Sequence, residues 1–181
     1  MSAQEMVLSA VFAAVIAAAS LIAIPIAASP VPVTLQVFAV LLVSSVLRPR
    51  AASSSVLIYL ALGALGLPVF SGGIGGLAVM IGPRGGYLVG FLAASIVVSH
   101  MVSRPNPSLA RMGVAMCLGL VVIYALGVMQ LAAVARLTLG QAVIVGVVPF
   151  IPLDLVKALA AGIVGYRVKR LVRAYTREVK K

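Results

Sequence analysis

The chain has 181 residues, of which 63% are hydrophobic and 9% are charged, and it carries a formal net charge of +11. This composition, with a mean hydropathy of +1.23, excludes a water-soluble domain. We therefore expect one integral-membrane domain over residues 1–181, all-α, because backbone polar groups in lipid must be satisfied within helices.

The basic residues are concentrated after the last apolar segment, in a tail over about residues 167–181. Seven of the fourteen are Arg167, Lys169, Arg170, Arg173, Arg177, Lys180 and Lys181. A cluster that directly flanks a span is typical of the cytoplasmic side of a membrane, in contact with lipid headgroups, so we expect no nucleic-acid partner.

Apolar length predicts six membrane spans. They cover about residues 6–28, 34–47, 52–67, 85–101 and 109–135, and a last one from about residue 152 to 165 that follows a short helix. Pro149 and Pro152 separate that short helix from the last span. The first span carries Ala10, Ala14 and Ala18 at four-residue spacing, a small-residue stripe that would let another helix approach closely.

Residues 66–87, between the third and fourth spans, hold eight glycines and two prolines yet stay apolar. Irregular backbone at membrane depth survives only when it is buried in protein or lines a cavity, so we expect an outer loop folded over the bundle. Gly73 and Gly75 could present bare backbone amides to a ligand. The alternative is a close-packed loop that binds nothing.

Asp154 is the only acidic residue far from either terminus; the other two are Glu5 and Glu178. If Pro152 opens a helix, Asp154 and Lys157 share one face and can pair. Because charges at membrane depth are costly, such a pair indicates a functional site. The alternative is a neutralised pair that only locks two helices together.

The distribution of positive charge predicts that both termini are cytoplasmic. With six spans, eleven of the fourteen basic residues then lie inside, Arg84 and Arg136 lie outside, and Lys157 lies within the membrane. This orientation brings the loop over residues 25–33, the glycine-rich segment and the start of the last helix together at one outward-facing mouth.

The predicted mouth is mostly apolar with few polar groups, the usual form of a small-molecule site. The candidate residues are Thr34, Gln36, Phe70, Ser71, Gly73, Gly75, Arg84, Tyr87, Phe150, Asp154 and Lys157. Arg84 and Lys157 could hold a carboxylate, and Asp154 could accept N–H groups of a cyclic amide or urea. For Arg84 the alternative is contact with lipid headgroups.

Several chemistries lack their residues. The chain has no phosphate-binding loop of the Gly-x-x-x-x-Gly-Lys-Ser/Thr type, so it does not hydrolyse ATP itself. Its single histidine, His100, has no second histidine with which to form a metal site, and Ser71 has no base to activate it. We therefore expect neither an enzyme nor a cofactor or metal.

Four segments in order resemble the BioY family, the biotin-binding S components of energy-coupling factor (ECF) transporters. They cover residues 30–36 (PVPVTLQ), 66–76 (GLPVFSGGIGG), 82–87 (GPRGGY) and 149–157 (PFIPLDLVK). The resemblance implies a six-helix S-component fold in a prokaryotic cytoplasmic membrane. It also implies capture of biotin from outside, and a transmembrane T component and ATPases as partners.

For individual residues, the resemblance implies that Asp154 and Lys157 lie in the biotin site and that Arg84 or a near neighbour helps to hold the biotin carboxylate. It implies that residues 25–33 form a lid and that Ala10, Ala14 and Ala18 dock the T component. Two other readings stay open: an S component for another small vitamin, or a self-sufficient carrier in which Asp154 titrates during transport.

Overall fold

The computed structural model describes residues 2–27, 29–103 and 107–178, with side chains up to residue 172. Within these ranges the chain folds into helices and one two-stranded hairpin. The elements are α1 Ala3–Leu21, β1 Ala23–Ile24, β2 Val33–Thr34, α2 Gln36–Val46, α3 Pro49–Ala64, α4 Leu77–Ile81, α5 Gly85–Met101, α6 Leu109–Ala135, α7 Leu139–Gly146 and α8 Ile151–Glu178.

Local sequence explains where several helices begin. Ser2 and Glu5 form a capping box that starts α1, and Thr138 and Gln141 form another that starts α7. Pro49 occupies the first turn of α3, where its missing N–H costs nothing. Each start therefore satisfies or avoids the free amides of a first helical turn.

The first helix is shorter than predicted. It ends at Leu21 instead of near residue 28, and the next residues form the hairpin, in which Ala23 pairs with Thr34. Pro25 explains the difference, because in a continued helix it could donate no hydrogen bond to the Leu21 carbonyl and its ring would clash with that carbonyl. Residue 28 itself, most of the predicted turn at residues 104–107 and the tail residues 179–181 lie outside the described residues.

The later helices lie close to their predicted positions. The fourth and fifth predicted spans match α5 and α6, and a short helix, α7, precedes α8. The axes of α7 and α8 are bent by 62° at the break that contains Pro149. The glycine-rich segment, predicted to be irregular, contains one short helix, α4.

The most extensive helix contact joins α5 and α6. It depends on two glycines of α5. A Cβ added to Gly86 would lie 2.3 Å from the Leu126 carbonyl oxygen, and one added to Gly90 would lie 2.9 Å from Cα of Ile123. In the sequence, Gly82, Gly86 and Gly90 recur at four-residue spacing, and such a small-residue stripe predicts close helix contact. The prediction is confirmed at Gly86 and Gly90. Gly82 instead faces the carbonyl of Ala78 in its own segment.

By length and composition, two of the described helices can cross a membrane: α1 and α6. The bent pair of α7 and α8 makes a third crossing if it counts as one span. The helices at the other predicted spans, α2, α3 and α5, have 11, 16 and 17 residues. They are shorter than the roughly 20 residues of a full crossing, so the number six stays a prediction.

Candidate small-molecule site

A cavity with a volume of about 50 Å³ lies where the hairpin loop meets α2, α5, α6 and the start of α8. Its walls combine apolar side chains with a few polar ones. The lining residues are Val31, Pro32, Thr34, Gln36, Val37, Ser71, Arg84, Tyr87, Leu88, Phe91, Ile123, Tyr124, Phe150 and Asp154. Of the predicted site residues, Thr34, Gln36, Ser71, Arg84, Tyr87, Phe150 and Asp154 are thus brought together.

Asp154 lies in the first turn of α8 and is only 3% exposed. Its carboxylate accepts two hydrogen bonds: Lys157 Nζ donates to Oδ1 at 2.8 Å, and Tyr124 Oη donates to Oδ2 at 2.7 Å. Because each carboxylate oxygen can accept more than one hydrogen bond, Asp154 keeps acceptor capacity toward the cavity that it lines.

Lys157 is placed behind Asp154 and is not among the cavity-lining residues. Its ammonium group forms an ion pair with Asp154, and it also donates a hydrogen bond to the Thr34 carbonyl at 2.7 Å. The predicted pairing of Asp154 and Lys157 is present in the structure. The lysine therefore orients the carboxylate and ties α8 to the end of β2.

Gln36, at the start of α2, forms a polar part of the cavity wall and is only 4% exposed. Its Nε2 donates a hydrogen bond to the Tyr59 hydroxyl, and Thr34 Oγ1 donates to its Oε1 at 3.2 Å. Both ends of the buried amide are therefore held in place.

Arg84 bridges the two segments that cover the cavity. Its Nε donates to the Pro30 carbonyl at 3.0 Å, and its Nη1 donates to the Ser71 carbonyl at 3.2 Å. Pro30 belongs to the loop between β1 and β2, and Ser71 belongs to the glycine-rich segment. Arg84 thus fastens one covering segment to the other while lining the cavity.

Tyr87 fills the cavity wall next to α7. Its hydroxyl donates to the Gly146 carbonyl at 2.9 Å, and its ring lies against Gly127 of α6. A Cβ added to Gly146 would lie 2.4 Å from the Tyr87 hydroxyl oxygen. Glycine at both neighbouring positions makes room for this ring.

Phe70, Gly73 and Gly75, which we predicted to contact a ligand, are not among the residues that line the cavity. Phe70 is buried against Tyr59, with ring centroids 5.5 Å apart, and the Gly73 amide donates to the Phe70 carbonyl. Gly75 packs against the backbone of Gly66 and Leu67. All three residues contact other protein groups instead of the cavity, so this geometry does not support their predicted ligand contacts.

Tyr124 was missed by sequence reasoning, although its hydroxyl bonds the central carboxylate. The available signal was a tyrosine in the middle of a long apolar helix, where a buried hydroxyl requires a partner. The apolar lining residues Leu88, Phe91 and Ile123 give no such signal, because they look like any core side chain.

Ala10, Ala14 and Ala18 do not line the cavity and are exposed along one side of α1. The neighbouring side chains of Val7, Val11 and Val15 are exposed as well, at 42–63%. This side of α1 is therefore an open apolar surface with small residues, as the predicted stripe requires.

Comparison with known proteins identifies the family. The model of the BioY family matches residues 1–174, which is nearly the whole chain. The chain belongs to the BioY family. It is accordingly a multi-pass membrane protein of a transporter family.

Curated relatives agree over almost their full lengths. "Biotin transporter BioY" of Thermotoga maritima is 38% identical over 93% of this chain and 97% of the relative. "Biotin transporter BioY" of Rhizobium etli is 41% identical over 91% of this chain and 92% of the relative. "Probable biotin transporter BioY" of Pyrococcus horikoshii is 41% identical over 93% and 98%.

A solved structure, the S-component for biotin from an ECF-type ABC transporter, superposes with a TM-score of 0.84 at 27% identity. The match covers 94% of this chain and 95% of that chain. The arrangement of helices is therefore that of an S component.

Proposed function

We propose that this BioY chain is the biotin-binding S component of an ECF-type importer. The supporting observation is the cavity at the start of α8, where Asp154 is held by Lys157 and Tyr124 and faces a mostly apolar space. Relatives that match over nearly their entire lengths are named for biotin transport.

The polar groups of the cavity suit the two ends of biotin. A urea presents N–H donors, and the oriented carboxylate of Asp154 is the acceptor that they need. The Arg84 guanidinium, which lines the same cavity, suits the carboxylate of the side chain. Leu88, Phe91 and Ile123 supply apolar walls for the part of biotin between its two polar ends, which consists of the ring and the aliphatic tail.

Biotin enters this cavity only if its cover moves. A volume of about 50 Å³ holds no more than a few water molecules. Val31 and Pro32 form part of the wall, and the loop that contains them is fastened by Arg84. We therefore assign residues 25–33 as the lid, opening for entry and closing over bound biotin.

Transport requires partners in this proposal. The chain has no nucleotide-binding loop, so ATP would be used by separate ATPase subunits, and a transmembrane T component would couple them to this chain. The exposed stripe of Ala10, Ala14 and Ala18 on α1 would receive that T component. We propose the orientation that the positive charges indicate, with both termini cytoplasmic in a prokaryotic inner membrane.

The direct test is ligand binding by the purified full-length protein. Biotin should raise the melting temperature, whereas riboflavin, thiamine and pantothenate should not. Asp154→Asn should abolish biotin binding, measured with radiolabelled biotin on the monodisperse fraction. Glu5→Gln is the matched control, because it also removes one carboxylate but from the N-terminal turn of α1.

Three other outcomes would contradict this proposal. Stabilisation by a different vitamin would make the chain an S component for that vitamin. Biotin uptake that persists in cells without any ATPase partner would favour a self-sufficient carrier. Normal biotin affinity in Asp154→Asn would remove Asp154 from the binding site.

A further inference from the structure

A second cavity lies on the outer surface of the bundle, in the groove between α6 and α8, and has a volume of about 360 Å³. It is distinct from the proposed biotin site and shares no lining residue with it. Its walls are apolar apart from one thiol: Leu109, Gly113, Met116, Cys117, Leu155, Ala158, Leu159, Gly162 and Ile163.

The groove continues toward the basic end of α8. A third cavity, of about 640 Å³, shares Leu109 and Ile163 with it and adds Tyr166, Arg167, Arg170 and Leu171. Together they form one continuous surface, the α6/α8 groove, which is apolar at one end and carries two arginines at the other.

Arg167 and Arg170 supply the positive charge at the basic end of the groove. Among the side chains that the structure describes, no carboxylate lies within ion-pair distance of Arg167 or Arg170. The Arg170 guanidinium lies 5.7 Å from the centroid of the Tyr166 ring, which orients it beside the groove. The neighbouring Lys169 is already engaged, since its ammonium donates to the Val102 carbonyl.

The length of the groove fits one leaflet of a bilayer. At a rise of about 1.5 Å per residue, Arg167 lies about 18 Å along α8 from Leu155. One leaflet has a hydrocarbon thickness of about 15 Å, half of the full core. An acyl chain beside Leu155, Leu159 and Ile163 would therefore end with its headgroup near Arg167 and Arg170.

We propose that the α6/α8 groove binds an anionic phospholipid, with an acyl chain along the apolar end and the phosphate between Arg167 and Arg170. Charge complementarity favours this occupant. A second copy of the chain would bring the same excess of positive charge, because residues 167–181 contain seven basic residues and one acidic residue. A lipid phosphate neutralises it.

Cys117 is a built-in reporter for this groove. It is the only cysteine of the chain, it is exposed, and it lines the apolar end. The experiment measures the rate of maleimide labelling of the full-length protein in detergent, with palmitoyl-oleoyl phosphatidylglycerol or with phosphatidylcholine of the same acyl chains. We expect the anionic lipid to protect Cys117 at much lower concentrations than the neutral one.

Two pairs of variants separate headgroup from groove. Arg167→Gln with Arg170→Gln should weaken protection by about 25-fold, taking about fivefold for each cation near an anionic lipid. Arg48→Gln with Arg50→Gln, the same loss of charge at the start of α3, should leave protection unchanged. Gly113→Leu should fill the groove and lower the amount of phosphatidylglycerol that stays bound in native mass spectrometry. Gly140→Leu on α7 is the control for this variant. At both glycines an added Cβ would meet no atom within 4 Å, so neither substitution creates a clash at the Cβ.

Three results would overturn the proposal. Equal protection by the two lipids would show that the headgroup is not recognised. Undiminished protection of Cys117 in the variant that lacks both arginines would show that Arg167 and Arg170 do not take part in binding the lipid. Protection of Cys117 that rises with protein concentration in the absence of lipid would identify a second copy as the occupant.

Discussion

The Lys157 ammonium donates a hydrogen bond to the Thr34 backbone carbonyl, 2.7 Å away and 123 positions earlier in the chain. Thr34 ends the hairpin strand that leads out of the proposed lid, and the same ammonium holds Asp154. One side chain thus connects the carboxylate proposed to bind biotin with the base of the segment proposed to cover it.

The first prediction concerns the strength of this buried pair. Lys157→Met leaves Asp154 buried without its cation, so it should lower the free energy of unfolding by about 3 kcal/mol. Adding Asp154→Asn to Lys157→Met should recover much of that loss, because no buried charge then remains. The measurement is a double-mutant cycle from melting curves in detergent, without ligand.

The control cycle uses the exposed pair of Arg48 and Glu5, whose charged atoms are 3.7 Å apart and whose arginine side chain is 85% exposed. Solvent screens such pairs, so Arg48→Met and Glu5→Gln should show no measurable coupling. Additive effects of Lys157→Met and Asp154→Asn would contradict the buried pairing seen here.

The Asp154–Lys157 pair could be predicted from sequence because its signal is local. A spacing of three, a proline at the helix start and a surrounding apolar run all act within one helical turn. The contact between α5 and α6 was similarly readable from the spacing of Gly86 and Gly90. In both cases the periodicity of one helix determines which atoms meet.

The rest of the site depends on contacts between distant segments. The partners of Arg84 are the Pro30 and Ser71 carbonyls, and backbone carbonyls leave no mark in a sequence. Phe70 looked like a ligand-contacting aromatic residue, but it packs on Tyr59 because Gly63 leaves space for its ring. Tyr124 reaches Asp154 from thirty positions away, which no local spacing predicts.

The second prediction tests the role of Tyr124. Tyr124→Phe removes the hydroxyl that donates to Asp154 and keeps the ring, so the carboxylate loses one of its two orienting bonds. Biotin affinity should fall by about tenfold, as expected for a hydrogen bond to a charged group. Tyr166→Phe is the control, because the Tyr166 hydroxyl lies outside the cavity. Unchanged biotin affinity in Tyr124→Phe would mean that Lys157 alone orients Asp154.

The third prediction separates lid fastening from ligand contact at Arg84. Arg84→Lys keeps the positive charge but cannot reproduce the two bonds to Pro30 and Ser71. Release of biotin should accelerate by about fivefold, measured by chase of bound radiolabel. Biotin methyl ester, which lacks the carboxylate, should be released faster by the same factor if Arg84 acts through the lid.

An effect of Arg84→Lys on biotin but not on its methyl ester would instead place Arg84 against the carboxylate. Arg136→Lys is the control for the substitution itself, because Arg136 caps the far end of α6 and does not line the cavity. That variant should release both ligands at the normal rate.

The fourth prediction tests the close contact of α5 and α6. Gly86→Ala places a Cβ 2.3 Å from the Leu126 carbonyl oxygen, which is backbone and cannot rotate away, so the helices must separate. The free energy of unfolding should fall by about 2 kcal/mol. Gly140→Ala on α7 meets no atom within 4 Å and should stabilise by about 0.5 kcal/mol through higher helix propensity. The measurement is the melting temperature of both variants. Equal shifts in melting temperature would mean that α5 and α6 do not approach this closely at Gly86.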